Sequence, residues 1–373
     1  MRVTIDATSF LLRSAGIKSY TYHWLQALRH IAGAEVIHAF PFLEPNGQLN
    51  HDRSMLPLWA TYPRLAALYA ANYGGTAVLD TFLRGTDIFH ASNQIHHAPS
   101  KALLTATVHD LTCWKMPELH TPANVKADHR FADRILKRAH GLIAVSEATR
   151  EDAIELLDID EDRIETIHSG VSEAYFNIPV DAVLAAREDL GLHKPYALFV
   201  GTIEPRKNLD RLLDAWLALS PGLREEFDLV IAGPSGWAPE TAKRLTAGAS
   251  GIRTLGYVPE QFLPAVTAGA LLFVYPSLYE GFGFPVAQAM AAGVPVLTSN
   301  ISALPEITGG AAELVDPLSV SEIQAGLQRM LTSPSIREQM AIAGKEHAQN
   351  YRWSRCAHRS LLFFERIAGS RIG

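Results

Sequence analysis

A chain of 373 residues exceeds what one hydrophobic core organises and suits two domains. Its 48% hydrophobic and 19% charged content is that of a folded globular protein, and a formal net charge of −6 argues against a general nucleic-acid binder, which needs a broad basic surface. The two cysteines, Cys113 and Cys356, are too far apart for a metal-binding pair and read as reduced thiols of a cytoplasmic protein.

The start, Met1-Arg2-Val3-Thr4-Ile5-Asp6, enters a strand at once and lacks the charged-then-apolar layout of a signal peptide. Apolar runs at 3–6, 35–40, 87–90, 103–109 and 141–145 read as buried strands, with helical patterns at 20–31, 125–139 and 147–157 between them. The stretch 59–83 adds Trp59, Tyr62, Tyr69 and Tyr73, and the 125–139 helix carries Lys126, Arg130, Arg134, Lys137 and Arg138. The cations read as a solvated face and the aromatics as core. Equally, the two together suit an anionic membrane surface, and both readings stand. Asp158-Ile159-Asp160 has the form of a metal-binding Asp-x-Asp, but Glu161 and Asp162 follow at once, as in a solvated acidic turn. Turn residues from Ser169 through Pro179 set the seam between two expected domains, 1–172 and 173–352.

After a short helix at 182–190 the alternation restarts. Strands are expected at 196–201, 228–233, 253–256, 270–275 and 295–298, with helices at 209–219, 238–247, 259–267 and 285–292. The apolar stretch 268–296 is broken by Pro276, Glu280, Pro285 and several glycines, so it does not span a membrane. Helices at 320–331, 335–350 and 354–367 close the chain, the last within a segment, 353–373, expected to pack back on the first domain. Strand–helix alternation run twice implies an α/β protein of two Rossmann-like domains, each with a parallel sheet. Such sheets hold ligands beyond the carboxyl ends of their strands, so a cleft in which the domains face each other is the expected active site.

Three groups of residues carry chemistry. Ser277-Leu278-Tyr279-Glu280-Gly281-Phe282-Gly283-Phe284-Pro285 follows a strand and opens a helix, with Pro285 where its missing N–H costs nothing. Gly281 and Gly283 admit a ligand close to the backbone, the helix start favours an anion, and Glu280 can accept hydrogen bonds from sugar hydroxyls. A tight strand-to-helix turn with a capping carboxylate explains this loop in isolation. Arg206 and Lys207 follow the 196–201 strand, where two cations at a helix start oppose the helix dipole unless an anion sits there. They suit a diphosphate leaving group, Arg206 by forking onto phosphate oxygens. His109 ends an apolar run and belongs at a strand's carboxyl end, whereas His90, His96, His97 and His168 form no metal-ligand spacing.

The full run from Tyr275 to Val296 closely resembles the donor-site signature of glycosyltransferase family 4. Val200 through Leu209 resembles that family's diphosphate loop, and Gly256-Tyr257-Val258 and Ser299 through Glu306 match it as well. Ala15-Gly16-Ile17, Val108-His109-Asp110-Leu111 and Ala144 through Glu147 fall where the family has its first-domain loops. The resemblance implies the GT-B fold and retaining, metal-independent transfer of a hexose from a nucleotide diphosphate sugar, with no cofactor. It assigns His109, Arg206, Lys207 and Glu280 to catalysis. It assigns Gly16, Thr202, Tyr257, Val258, Ser277, Gly281, Phe282, Gly283, Phe284 and Gln288 to the donor, with His109 on the transferring sugar and Tyr257-Val258 framing the base. Two positions depart from the family: Thr202 stands where a further arginine is frequent, and Gln288 stands where a second glutamate binds the ribose. A neutral amide makes weaker bonds than a carboxylate, so donor binding is expected to be retained but weaker.

The implied donors are GDP-mannose and UDP-glucose, with mannose ahead. The implied acceptor is a saccharide or lipid-linked oligosaccharide of a cell-surface polysaccharide, met in the cytoplasm or at the inner face of the cell membrane. Two rivals are weighed. A dinucleotide oxidoreductase lacks its Gly-x-Gly-x-x-Gly after the first strand, where Ala7 through Ala15 stand instead. A catalytically weak pseudo-glycosyltransferase rests on Gln288 and Thr202 alone.

Overall fold

The computed structural model describes residues 1–13, 16–42, 49, 53–246 and 251–369. Ala15, part of one first-domain motif, lies outside them. The chain forms two compact units, Met1–Gly170 with Arg352–Gly373, and Val171–Tyr351.

The first unit holds six parallel strands: β1 (Val3–Asp6), β2 (Ile37–Phe40), β3 (Ile88–Ala91), β4 (Leu103–Val108), β5 (Gly141–Ala144) and β6 (Ile164–Thr166). Their order across the sheet is β2-β1-β3-β4-β5-β6. After β1 the chain builds outward to β2, then returns to place β3 on the other flank of β1. That reversal makes the β1–β3 boundary a topological switch point, where crossovers diverge and leave a crevice at the strands' carboxyl ends. The strands are apolar on both faces because helices cover both, and β1, β3, β4 and β5 are buried throughout.

The second unit repeats the plan with β7 (Tyr196–Val200), β8 (Asp228–Ala232), β9 (Ile252–Gly256), β10 (Leu272–Tyr275), β11 (Val296–Ser299) and β12 (Glu313–Val315), ordered β12-β11-β10-β7-β8-β9. The reversal here lies between β7 and β10, so the loops leaving those two strands are brought side by side. The sequence places ten of the twelve strands. It misses β6 and β12, three residues each and carrying exposed or half-exposed charges, which give no apolar run to read.

Helices differ more. The helix expected at 125–139 begins at Pro122, capped by Thr121 through Asn124 N–H, and ends at Arg134. The stretch holding Trp59 through Leu83 contains two helices that periodicity did not show, α2 (Leu58–Tyr73) and a shorter one, Thr76–Phe82. The closing helix, Trp353–Gly369, belongs to the first unit and packs on α1 (Gly16–Ala32). Trp24 Nε1 donates to Ser360 Oγ at 3.0 Å, and Arg359 and Arg366 both pair with Glu165. Among the described residues, no helix is long and apolar enough to cross a membrane.

Candidate active site

In the second unit, the loop after β7 and the loop after β10 are locked together at the switch point. Pro205–Lys207 forms a single 3-10 turn, and Asn208 follows it in the left-handed conformation with φ 60°. Asn208 Nδ2 donates to the carbonyls of Pro276, at 2.9 Å, and Pro317, at 2.6 Å. Leu278 N–H donates to the Arg206 carbonyl at 2.8 Å, and Ser277 Oγ lies 3.1 Å from the same oxygen. These bonds satisfy buried loop backbone that has no ladder partner, and they fix two cations against one carboxylate.

That carboxylate is Glu280. Lys207 Nζ lies 2.7 Å from its Oε1, Arg206 2.9 Å from its Oε2, and Ser277 Oγ donates to Oε1 at 2.6 Å. Glu204 completes the cluster, 2.8 Å from Arg206 and 3.9 Å from Lys207. Arg206 also donates to the Tyr279 carbonyl at 2.7 Å. Burial works to raise the Glu280 pKa, but Arg206 and Lys207, with hydrogen bonds from Lys207 and Ser277, outweigh it and hold the carboxyl at about 2. Glu280 is therefore an anion at any physiological pH.

This geometry corrects two expectations. Arg206 and Lys207 are not unbalanced cations awaiting an anion: Glu204 and Glu280 already neutralise them, which removes the conflict with the helix dipole. Ser277, expected to touch the donor, is fully enclosed, with its hydroxyl turned onto Glu280. It positions that carboxylate. Glu204 was not singled out from the sequence, although a carboxylate two and three residues before a cation pair is the signal that finds it.

Beyond Glu280 the backbone turns through Gly283, φ 89°, into the helix Phe284–Ala291. A Cβ on Gly283 would lie 2.7 Å from a Leu304 methyl, so glycine is required there for space as well as for conformation. No side chain caps this helix start; Pro285 has no N–H and the Val286 and Ala287 N–H groups donate to the Gly283 carbonyl, so the Phe284 N–H is the first-turn amide placed to meet an anion. The Phe282 side chain is buried against Tyr351, with ring centroids 5.5 Å apart, and so is turned into the protein. Phe284 and Gln288 are half-buried, and the Gln288 amide has no hydrogen-bond partner among the described residues. Thr202 is half-exposed at the end of β7. Past β9, Tyr257 is exposed and Val258 buried.

In the first unit, a cavity of about 130 Å³ opens at the carboxyl ends of β1, β3 and β4. Asp6, Ser92, Asn93, His109, Trp114 and Asp128 contribute to its wall. His109 follows β4 directly, and its ring meets the edge of Tyr20 with centroids 4.7 Å apart. Burial holds its pKa at about 4 against the opposing pull of Asp110, so the imidazole is neutral near pH 7. Asp110 Oδ1 accepts from Thr112 N–H and Oγ, at 3.1 and 2.8 Å, and so stiffens the turn that carries His109. Gly16 opens α1, with open space where a side chain would stand, and Ile17 beside it reaches the same cavity. Asp158 and Asp160 lie in an exposed turn, Asp160 pairing with Arg163 at 3.4 Å.

Comparison with known proteins gives a consistent result. A family model described as glycosyl transferases group 1 matches residues 184–347, and one described as glycosyltransferase family 4 matches 14–175. The O-antigen chain mannosyltransferase B of Escherichia coli is 34% identical over 279 residues, covering 74% of this chain and 73% of that protein. Sucrose-phosphate synthase from Thermosynechococcus elongatus superposes with a TM-score of 0.73 at 19% identity, covering 99% and 100% of the two chains. WaaG, a glycosyltransferase involved in lipopolysaccharide biosynthesis, does so with a TM-score of 0.68 at 16% identity, covering 96% and 98%. The two structural likenesses establish the fold, which is GT-B.

Proposed function

The chain belongs to the group 1 glycosyltransferases of family 4, and from that membership we propose that it transfers mannose from GDP-mannose to a saccharide or lipid-linked oligosaccharide acceptor in the assembly of a cell-surface polysaccharide, at the inner face of the cell membrane. Mannose is favoured over glucose by the 34% identity to an O-antigen mannosyltransferase. The observation that carries the reading is the Arg206–Lys207–Glu280 cluster at the β7–β10 switch point, beside an uncapped helix start.

The proposed chemistry is the one that membership of the family implies. The bond from the sugar's anomeric carbon to the diphosphate breaks while the acceptor oxygen bonds to that carbon on the same face, so configuration is retained. The acceptor proton passes to the departing phosphate oxygen. Negative charge grows on the diphosphate as the bond breaks, and Arg206 and Lys207 stabilise it without a metal. A guanidinium carries five N–H donors in a planar fork, which suits Arg206 to bind phosphate oxygens as the diphosphate departs. Glu280 holds the cations in register and offers its remaining acceptor capacity to sugar hydroxyls. The Gly283 and Phe284 backbone receives the diphosphate, Gln288 the ribose, and Thr202, Tyr257 and Val258 the rest of the nucleotide. Neutral His109 serves as a hydrogen-bonding group for the transferring sugar, and the cavity beside it receives the acceptor.

A nucleotide panel tests the donor. GDP is expected to raise the unfolding midpoint above the shift given by equal concentrations of UDP or ADP, since a ligand held at 100 times its Kd adds about 2.7 kcal/mol to the folded state. A larger shift with UDP would reject GDP-mannose in favour of a UDP-sugar.

A further inference from the structure

The charge lining the first-unit cavity limits what can enter it. Among the described residues in its wall there is no lysine and no arginine, whereas three carboxylates stand there, Asp6, Asp110 and Asp128. Lys115, the cation next to the cavity residue Trp114 in the chain, is engaged by Asp152 at 2.5 Å. The two histidines of the wall add no positive charge near pH 7, since burial holds His90 at about 3 and His109 at about 4. Both ring nitrogens of His90 are also taken up, by Thr105 Oγ1 at 3.0 Å and Thr107 Oγ1 at 2.9 Å.

The three carboxylates are not equivalent. Asp6 is committed to the fold: Thr8 N–H and Oγ1 donate to its Oδ1, and Ser92 N–H and Oγ donate to its Oδ2. Asp110 Oδ1 holds the turn at Thr112. Asp128, half-buried on the Pro122–Arg134 helix, accepts from the Cys113 thiol and from no other group among the described residues. A carboxylate offers about four acceptor sites, so Asp128 has capacity for hydroxyl donors in the cavity. Trp114 lies half-buried in the same wall, and His129, the residue after Asp128, stacks on its ring with centroids 4.3 Å apart and planes 29° apart. That stacking holds the indole in place. A flat apolar ring beside an acceptor-rich carboxylate matches a pyranose, which presents an apolar C–H face and a rim of hydroxyls.

We propose that this cavity selects an uncharged sugar as the reacting end of the acceptor, with Asp128 accepting hydrogen bonds from its hydroxyls and Trp114 packing against its ring. A phosphorylated or carboxylated sugar is rejected, because its charge would sit among like charges with no cation to pair it, and an unpaired charge out of water is costly. The proposal deepens, and rests on, the reading of the chain as a transferase whose acceptor enters this cavity.

Acceptor kinetics of the full chain at saturating GDP-mannose test it, using two matched pairs: methyl α-mannoside with its 6-phosphate, and methyl β-glucoside with methyl β-glucuronide. Within whichever pair reacts, the neutral sugar is expected to give a kcat/KM at least about tenfold above its anionic partner. Asp128→Asn should raise the acceptor KM about tenfold and leave the donor KM in place, and Trp114→Ala should raise the acceptor KM likewise. Asp128→Lys should shift the preference toward the anionic member. Thermal unfolding of each variant reports that it folds. A wild type that uses the anionic sugar as well as the neutral one, or an Asp128→Asn variant with unchanged acceptor KM, overturns the proposal while leaving the transferase reading in place. Transfer to none of the four counts against the transferase reading, and saturation-transfer NMR with the same sugars then decides the cavity. Binding of a neutral sugar that Trp114→Ala and Asp128→Asn both abolish supports the proposal; no binding, or binding that both changes leave intact, overturns it.

Discussion

At the scale of single residues, the proposed donor site is organised around Glu280. Its carboxylate is nearly enclosed, and taking a charge out of water is costly unless partners compensate. Arg206, Lys207 and Ser277 are those partners, and each also depends on Glu280 for its own position. Replacing Glu280 with glutamine keeps the shape but leaves two buried cations facing one remaining carboxylate, Glu204. Glu280→Gln is expected to lower stability by about 3 kcal/mol and turnover by about 10²-fold. Denaturant unfolding and steady-state transfer measure the two effects. Near-wild-type turnover would mean that Glu280 is a structural ion-pair member alone. Much of this was legible beforehand, because Arg206, Lys207 and Glu280 sit in motifs with a chemical rationale. The pairing was not, since no local pattern says that residues 73 apart share a buried salt bridge. Nor does sequence show that Ser277 faces inward, because an enclosed hydroxyl and a ligand-facing one read alike.

At the scale of elements, the strands and the turn into the Phe284–Ala291 helix were readable because their constraints are local. Apolar runs bounded by glycine and proline mark buried strands, and Gly283-Phe284-Pro285 marks a helix start. Gly283→Ala tests that turn, where the native φ of 89° and the Leu304 methyl both exclude a Cβ. The change is expected to cost about 1–3 kcal/mol of stability and to weaken nucleotide binding, because the backbone must shift where the diphosphate is proposed to bind. Titration calorimetry with GDP reads the binding, and unchanged affinity would argue that this turn does not contact the donor. The helix α2 was illegible for the opposite reason. Sequence patterning assumes that aromatics point inward, and here Trp59, Tyr62, Tyr69 and Tyr73 are exposed while the inward face carries alanine, threonine and asparagine with Leu68, so the rings mark the wrong face. The helix became visible only when exposure was attached to each ring.

At the scale of the whole molecule, one plan is used twice. Each unit reverses its strand order once, and each reversal brings two loops together at the strands' carboxyl ends. In the second unit that place holds two cations and their carboxylates; in the first it holds a cavity of mixed polar and apolar lining beside a neutral histidine. The fold class was readable from strand–helix alternation because that pattern repeats over many residues and tolerates local errors. The return of the chain to the first unit at Arg352 was an expectation for 353–373, but the contact that bonds Trp24 to Ser360, 336 residues apart, is encoded by no periodicity. The central claim is that cationic side chains, and no metal, carry the leaving diphosphate. It is tested most directly by following transfer of labelled mannose from GDP-mannose to an oligosaccharide acceptor in excess EDTA, with wild type and Lys207→Ala side by side. The account predicts undiminished transfer by the wild type and a loss of about 10²–10³-fold in the variant, with its fold intact. Transfer that stops in EDTA and returns with a divalent cation, or a variant as active as wild type, would contradict it.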